Sequence, residues 1–330
     1  MPGTEAPLVS VVVTTHNFER FVDAAVDAVL AQTFSDFELI LVDDGSTDGT
    51  RKRIRDHIDP RIRIVDVEGR GAPAAANAGL KRARGKYLAL WDGDDLWKPQ
   101  ALERHVEALE RDPRLAFTFS WCGLIDEDGR EMGAGFRRWR GVITVGQMLE
   151  DFVVGTNSAV LFRHASVAAA GGFDERLSHC YDMDLCLRLA AVPGSARAIE
   201  EELTHYRRHR VQMSRDWRAI QADWERMVSA LRVLAPSDLG PVEVRARSNM
   251  QRYFAFLVYE SGAPREGLRL LLSSLKSEPG AFFRDARNFE LLFACLVRMA
   301  MPSALVDPLE GAAVRLLRGR RGRAGGTLGE

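Results

Sequence analysis

Cysteine is scarce in this 330-residue chain: Cys122, Cys180, Cys186 and Cys295 are scattered and include no C-x-x-C pair. That spacing suits reduced thiols better than a disulfide framework or a structural zinc site. His179 lies close to Cys180 and Cys186, but the expectation for Cys186 is a small apolar residue packed one turn along a helix. Long hydrophobic runs are missing too. No stretch reaches the roughly 18 uninterrupted apolar residues that crossing a bilayer takes, and Met1 to Pro7 have neither the basic start nor the apolar core of a signal peptide. The expectation is a protein that stays on the cytoplasmic side. Charge of one sign is absent in bulk, since 45 Lys and Arg face 46 Asp and Glu for a formal net charge of -1. Bulk electrostatics therefore predict no nucleic-acid partner. One local exception is the basic run from Val314 to Arg323 (VRLLRGRRGR), which anionic lipid would attract. Peripheral contact with the inner face of a membrane is expected there if anywhere, the simpler expectation being a solvated tail.

What is present is an ordinary globular composition, 46% hydrophobic and 28% charged, enough for one large domain and an accessory one. Leu8 to Thr14 (LVSVVVT) and Phe37 to Val42 (FELILV) are nearly continuous apolar runs, the pattern of parallel strands buried on both faces. Between them Val22, Ala25, Val26, Val29 and Leu30 recur at helical spacing, so strand, helix and strand form a βαβ unit. The alternation predicts a helix at Thr50 to His57, a strand at Ile62 to Val67, a helix opened by Pro73 and a strand at Tyr87 to Trp91. A helix from Pro99 to about Arg111, a strand at Leu115 to Ser120 and a turn at Asp126 to Gly129 follow. Strand Ser158 to Phe162, a break at Gly171-Gly172, a helix from Asp182 to Ala191 and an extended piece from Ala198 to Tyr206 suggest an antiparallel second half. From Trp217 onward the expected segments are helical: Trp217 to Leu234, Val242 to Ser261, Pro264 to Lys276 and Phe282 to Met299. Within the last, Phe289 to Met299 is read as a core helix in preference to a membrane anchor.

In an open α/β sheet, ligands bind beyond the carboxyl ends of the strands. Three of the predicted strands end in Thr14-Thr15-His16-Asn17, Asp43-Asp44-Gly45-Ser46 and Asp92-Gly93-Asp94-Asp95. Carboxylates gathered at one mouth repel one another unless a cation or basic ligand is present. Two carboxylates spaced D-x-D on a turn suit Mg²⁺ or Mn²⁺ bridging the phosphates of a nucleoside diphosphate, although acidic turns are common and usually solvated.

The succession VSVVVTTHN, AQTFSDFELILVDDGSTDGT and NAGLKRARGKYLALWDGDD resembles the family 2 glycosyltransferases of the GT-A fold over roughly residues 7 to 210. The resemblance implies an open, twisted, mixed α/β sheet flanked by helices in a catalytic domain of residues 1–214, followed by a helical accessory domain of residues 215–330. It implies a nucleotide-sugar donor, UDP above others, and an inverting transfer to a saccharide, lipid-linked or other hydroxyl acceptor in cell-surface polysaccharide or glycoconjugate synthesis. Thr14, Thr15, His16 and Asn17 would line the nucleoside pocket, Asp44 would read the base, and Asp43 would be structural. Asp94 would hold the metal, with Asp92 and Gly93 beside it toward the sugar or ribose. FDERLSHCYDMDLCLRL makes Asp182 the catalytic base, with Tyr181 where a glutamate is common; the competing expectation for Asp182 is a helix N-cap. His205-Tyr206-Arg207-Arg208-His209 resembles the family's Tyr-Arg-x-His segment, which implies that a histidine or arginine there, His209 among them, steadies the diphosphate and that His209 to Ser214 form a loop over the donor. Ala76 stands before Asn77 where an arginine is usual, which leaves Arg70 or Lys81 to supply that charge. A nucleotidyltransferase is the rival enzyme class, disfavoured because no glycine-rich loop follows the first strand, and a non-catalytic sugar- or partner-binding module is the other alternative.

Overall fold

The computed structural model describes residues 6–133, 136–209 and 216–300. Eight strands form one mixed sheet: β1 (Val9–Thr15), β2 (Phe37–Asp44), β3 (Ile62–Val67), β4 (Tyr87–Asp92), β5 (Leu96–Trp97), β6 (Phe117–Ile125), β7 (Val160–Arg163) and β8 (Ala196–Arg207). Their order across the sheet is β3-β2-β1-β4-β7-β6-β8-β5. The first four are mutually parallel and joined by α1 (Val22–Leu30), α2 (Thr50–Asp56) and α3 (Ala72–Leu80). Every residue of β1 and β2 is buried, as expected for central strands covered by helices on both sides.

Alternate side chains of one strand enter different cores. Val9, Val11 and Val13 pack with Leu39 and Leu41 under α1 and α4 (Ala101–Arg111), where Val26, Val29, Leu102 and Leu109 meet them. Val12, Ile40 and Val42 point the other way, toward Ala75 and Ala76 of α3. On that side α3 lies very close to the sheet. A Cβ at Gly79 would stand 2.3 Å from Cγ1 of Val12, so only glycine fits there. The same core continues through α5 (Val145–Glu150), α6 (His164–Ala169) and α7 (Tyr181–Ala190) into α8 (Trp217–Leu234) and α9 (Pro236–Glu260). Trp224, Met227, Val228, Leu231 and Phe254 belong to it. The helices after the sheet are thus packed directly on it. Beyond them, α10 (Pro264–Ser277), α11 (Pro279–Arg284) and α12 (Ala286–Ala300) share a smaller cluster with the end of α9.

Two expectations are corrected. The second half of the sheet is not wholly antiparallel: β7 runs against β4 and β6, but β8 is parallel to β6. Phe117 of β6 pairs with Phe162 near the end of β7 and with Ala196 at the start of β8. The chain therefore leaves β7 and enters β8 at the same edge, a matter of direction that hydrophobic alternation does not encode. The expected single helix from Phe282 to Met299 is two, divided at Asp285, whose backbone is extended. Its carboxylate accepts hydrogen bonds from the backbone N and the Nε of Arg287 at 3.0 and 2.8 Å, the arrangement that starts a new helix. The basic run Val314 to Arg323 and the loop residues 210–214 lie outside the described residues.

Candidate active site

The register of the parallel strands brings the polar ends together: Thr15 lies opposite Asp43, and Thr14 opposite Asp92. Thr14 and Thr15 are buried, Thr15 donating to the carbonyl of Val42 at 3.1 Å, whereas His16 and Asn17 are exposed just beyond. Nδ1 of His16 is 2.7 Å from the carbonyl oxygen of Asp44. Asn17 adopts a left-handed backbone with φ 58°, tolerable for asparagine, and its Oδ1 accepts from the N–H of Thr47 at 2.8 Å. Asp43 is fully buried and receives Arg51 Nε at 2.9 Å, the structural place expected of it. Each carboxylate oxygen of Asp44 accepts one backbone N–H at 2.9 Å, from Arg70 and from Gly71. That pair ties the end of β2 to the start of α3.

The turn after β4 is seated on β1. The N–H of Gly93 donates to the carbonyl of Thr14 at 3.1 Å, and a Cβ at Gly93 would lie 2.8 Å from Cγ2 of Thr15 and 3.2 Å from that carbonyl. No side chain fits in this gap. Nε2 of His209 lies 2.8 Å from Oδ2 of Asp94 and stands against Phe21, with ring centroids 5.1 Å apart. Asp95 is fully buried, accepts from Thr156 Oγ1 at 3.0 Å and from the N–H of Arg207 at 2.9 Å, and is pushed up to about 8 by burial and by neighbouring Asp94. Asp92 is driven well above the usual carboxylate range, first by burial and then by the charges of Asp94, Asp95 and Asp182. No described residue donates a hydrogen bond to its carboxylate.

Asp182 stands next to this group. It is the second residue of α7; the N-cap is Cys180, which makes no side-chain cap, so the competing N-cap role for Asp182 is ruled out. Its Oδ1 accepts from the N–H of Met183 at 2.7 Å. Burial pushes the Asp182 carboxyl up to about 6. The buried phenol of Tyr181 is raised by burial and by the nearby Asp92 and Asp182. A neutral ring here adds no further negative charge to a crowded mouth. Arg188 fixes the helix, holding Asp184 at 2.8 Å and the carbonyls of Ala170 and Gly172 at 2.7 and 2.8 Å.

The side chains of Asn77, Arg70 and Lys81 are directed away from the strand-end acids. The Asn77 amide is committed to another loop, donating to the Phe173 carbonyl at 2.9 Å and accepting the Phe173 N–H at 3.0 Å. The Arg70 side chain is mostly exposed and reaches Glu175 at 2.8 Å. Arg70 and Lys81 line a small cavity of about 200 Å³ between β3 and α3 with Asp66 and Glu175, and none of Asp43, Asp44, Asp92, Asp94 and Asp95 lines it. Sequence reasoning passed over Thr156 and Ser158, and it placed Arg207 only within the His205 to His209 segment, without its bond to the acidic turn. Ser158 Oγ accepts the Asp92 N–H at 3.1 Å, and Arg207 Nε donates to the Asp94 carbonyl at 2.7 Å. The polar run Gly155-Thr-Asn-Ser before the apolar β7 was the available signal.

Residues 10–166 match the sequence model of Glycosyl transferase family 2. Over these residues the chain carries a glycosyltransferase family 2 domain. It is 42% identical over 127 residues to the putative teichuronic acid biosynthesis glycosyltransferase TuaG of Bacillus subtilis, covering 37% of this chain and 50% of TuaG. Against the chondroitin synthase of Escherichia coli it is 29% identical over 192 residues, 56% of this chain and 27% of that protein. The chain thus spans half or less of the length of these relatives. Among solved structures, Staphylococcus aureus TarS 1-349 in complex with UDP-GlcNAc superposes with a TM-score of 0.58 at 16% identity, covering 96% of this chain and 92% of that one. The mannosyltransferase PcManGT of Pyrobaculum calidifontis in complex with GDP-Man and Mn²⁺ gives 0.57 at 19% identity, covering 96% and 87%. At such identities these likenesses establish the fold alone, which is GT-A.

Proposed function

We propose that this chain is an inverting, cation-assisted glycosyltransferase that moves a sugar from a nucleotide-sugar donor, UDP-linked by preference, to an acceptor hydroxyl. The observation that carries the reading is the group formed by Asp92, Asp94 and Asp182 beyond β4: Asp92 receives no described hydrogen bond, and Asp182 is held near 6. The residues suit a divalent cation by their donor chemistry, because hard carboxylate oxygens crowd together with one imidazole, His209, against them. Among the described residues no three His, Cys, Asp or Glu side chains are placed to hold a metal ion together. Mg²⁺ and Mn²⁺ sites of this kind take one or two carboxylates and complete their shell with substrate phosphates. Asp94 would hold the ion, Asp92 standing beside it. When bound, the ion would offset the charge of the departing diphosphate.

In this scheme His16, Asn17 and the Asp44 loop border the nucleoside, over the buried Thr14 and Thr15. Asp182 takes the proton of the acceptor hydroxyl as that oxygen attacks the anomeric carbon from the face opposite the diphosphate. A base with its pKa just below neutrality is ionised at working pH yet basic enough to accept the proton, typically worth about 10²–10⁴-fold. We assign the catalytic domain to residues 1–214 and the accessory helices to residues 215–330, and the biology to cell-surface polysaccharide or glycoconjugate synthesis on a saccharide or lipid-linked acceptor. The names of TuaG and of the β-1,3-glucosyltransferase WfgD of Escherichia coli, which acts on GlcNAc-diphosphoundecaprenol and is 36% identical over 122 residues, support that assignment. Thermal shift with UDP-, GDP-, dTDP- and CDP-sugars tests the reading. One donor with Mn²⁺ should stabilise by about 2.7 kcal/mol at 100 times its dissociation constant, and Asp94→Ala should abolish the Mn²⁺ dependence. A shift from none of the donors, or one indifferent to Mn²⁺ and to Asp94→Ala, would overturn the reading.

A further inference from the structure

Helix α12 is apolar on both sides, and among the described residues only one side has a partner. Leu291 and Cys295 are buried against Leu271 and Tyr259, while Phe289, Phe293, Leu296 and Met299 open to solvent with 42%, 69%, 47% and 42% of their surface exposed. The spacing 286, 289, 293, 296 and 300 follows one stripe of a helix, filled by Ala286, Phe289, Phe293, Leu296 and Ala300. The two basic residues of α12 lie off that stripe, Arg287 pairing with Asp285 at 2.6 Å and Arg298 donating to the Tyr259 carbonyl at 2.9 Å, while Glu290 stands half-buried at its edge. Phe283 of α11, 63% exposed, extends the patch, its ring centroid 5.9 Å from that of Phe289. Single exposed apolar residues are ordinary, but a contiguous aromatic and aliphatic stripe marks a surface that meets something.

The charge of the chain beyond this helix selects the occupant. Arg315, Arg318, Arg320, Arg321 and Arg323 follow α12 in sequence, and no acidic residue occurs between Glu310 and Glu330. No helix among the described residues is long and apolar enough to cross a bilayer. An apolar stripe and a polybasic segment together are the two signals that hold a protein on a membrane surface, since either alone gives marginal binding. We propose that the outward stripe of α12, with Phe283, lies in the interface of an anionic membrane, the arginines 315–323 pairing with its headgroups. The claim stands independently of the transferase activity, because its readout is binding.

The test is sedimentation of the full-length chain with phosphatidylcholine vesicles carrying phosphatidylglycerol and with phosphatidylcholine vesicles alone. Anionic vesicles should retain the protein, neutral ones should not, and added salt should release it. Phe293→Ser with Leu296→Ser should weaken binding roughly tenfold or more, as should glutamine at all five arginines, each with an unchanged melting temperature. The proposal fails if anionic vesicles do not retain the chain, or if either variant binds like the parent. It also fails if Phe293→Ser with Leu296→Ser turns a dimer into a monomer in light scattering, because a second copy would then cover the stripe. Increased binding of an apolar dye on deleting residues 301–330 would likewise overturn it, making the tail the occupant.

Discussion

Side chains of β1 and β2 divide between two cores, Val9, Val11, Val13, Leu39 and Leu41 on one side and Val12, Ile40 and Val42 on the other, none more than 1% exposed. The last helices bury together only Ala255, Tyr259, Leu271, Phe282, Leu291 and Cys295, and leave four large apolar side chains of α12 open. The difference lies in what each region must hold still. A strand end that gathers Asp92, Asp94 and Asp95 beside Asp182 of α7 needs rigid support on both faces, because the charges would otherwise drive the turn apart. The helical end bears no such load and can keep a surface for an outside partner.

The sharpest way to break this comparison is at the acids. Asp182→Asn should lower kcat by about 10²–10⁴-fold while leaving the melting temperature equal or higher, since it removes a carboxylate that burial disfavours; a lower melting temperature with normal turnover would reverse the assignment. Next come the cores. Leu41→Ala should cost about 4 kcal/mol in urea unfolding and Leu291→Ala about half that, within the range for buried leucines, and equal costs would erase the distinction between the regions. Gly93→Ala should destabilise by about 1–3 kcal/mol through overpacking against Thr15 and the Thr14 carbonyl, read by the same unfolding experiment. A change within error would mean that the turn is free to shift.

The smallest effect is with pH. Asp182 is about 6 in the folded chain and near 4 unfolded, so the folded state binds its proton more tightly. Its contribution to stability is therefore complete below about 4 and declines as pH rises to about 6, while kcat/KM rises through the same pH and levels off. Below about 6 the rate should fall about tenfold per pH unit, and a flat profile in Asp182→Asn would tie the slope to this group.

Much of the body was legible from residue pattern. Continuous runs such as LVSVVVT announce a strand buried on both faces, and the residues following each run fall at the carboxyl edge whatever the details of packing. The pattern was silent where the answer depends on direction or on a partner distant in sequence. Alternation says that β8 is extended but not that it runs parallel to β6, and Asn77 has a donor and an acceptor that suit a ligand as well as the backbone of Phe173. The segment FELLFACLVRM was expected to be a core helix; half of it is, through Leu291 and Cys295. A helix that is apolar nearly all round gives no hint of which side lacks a neighbour.

Arg207 is the last residue of β8, and its guanidinium donates to the carbonyls of Asp94, Asp126 and Glu127 while its N–H serves Asp95. One side chain thereby fastens the acidic turn, the tip of the neighbouring hairpin and the exit of the sheet into a single piece. A shift of the last residue of β8 is therefore felt at Asp94 without an intervening joint, so the acidic turn and the end of that strand move together or not at all.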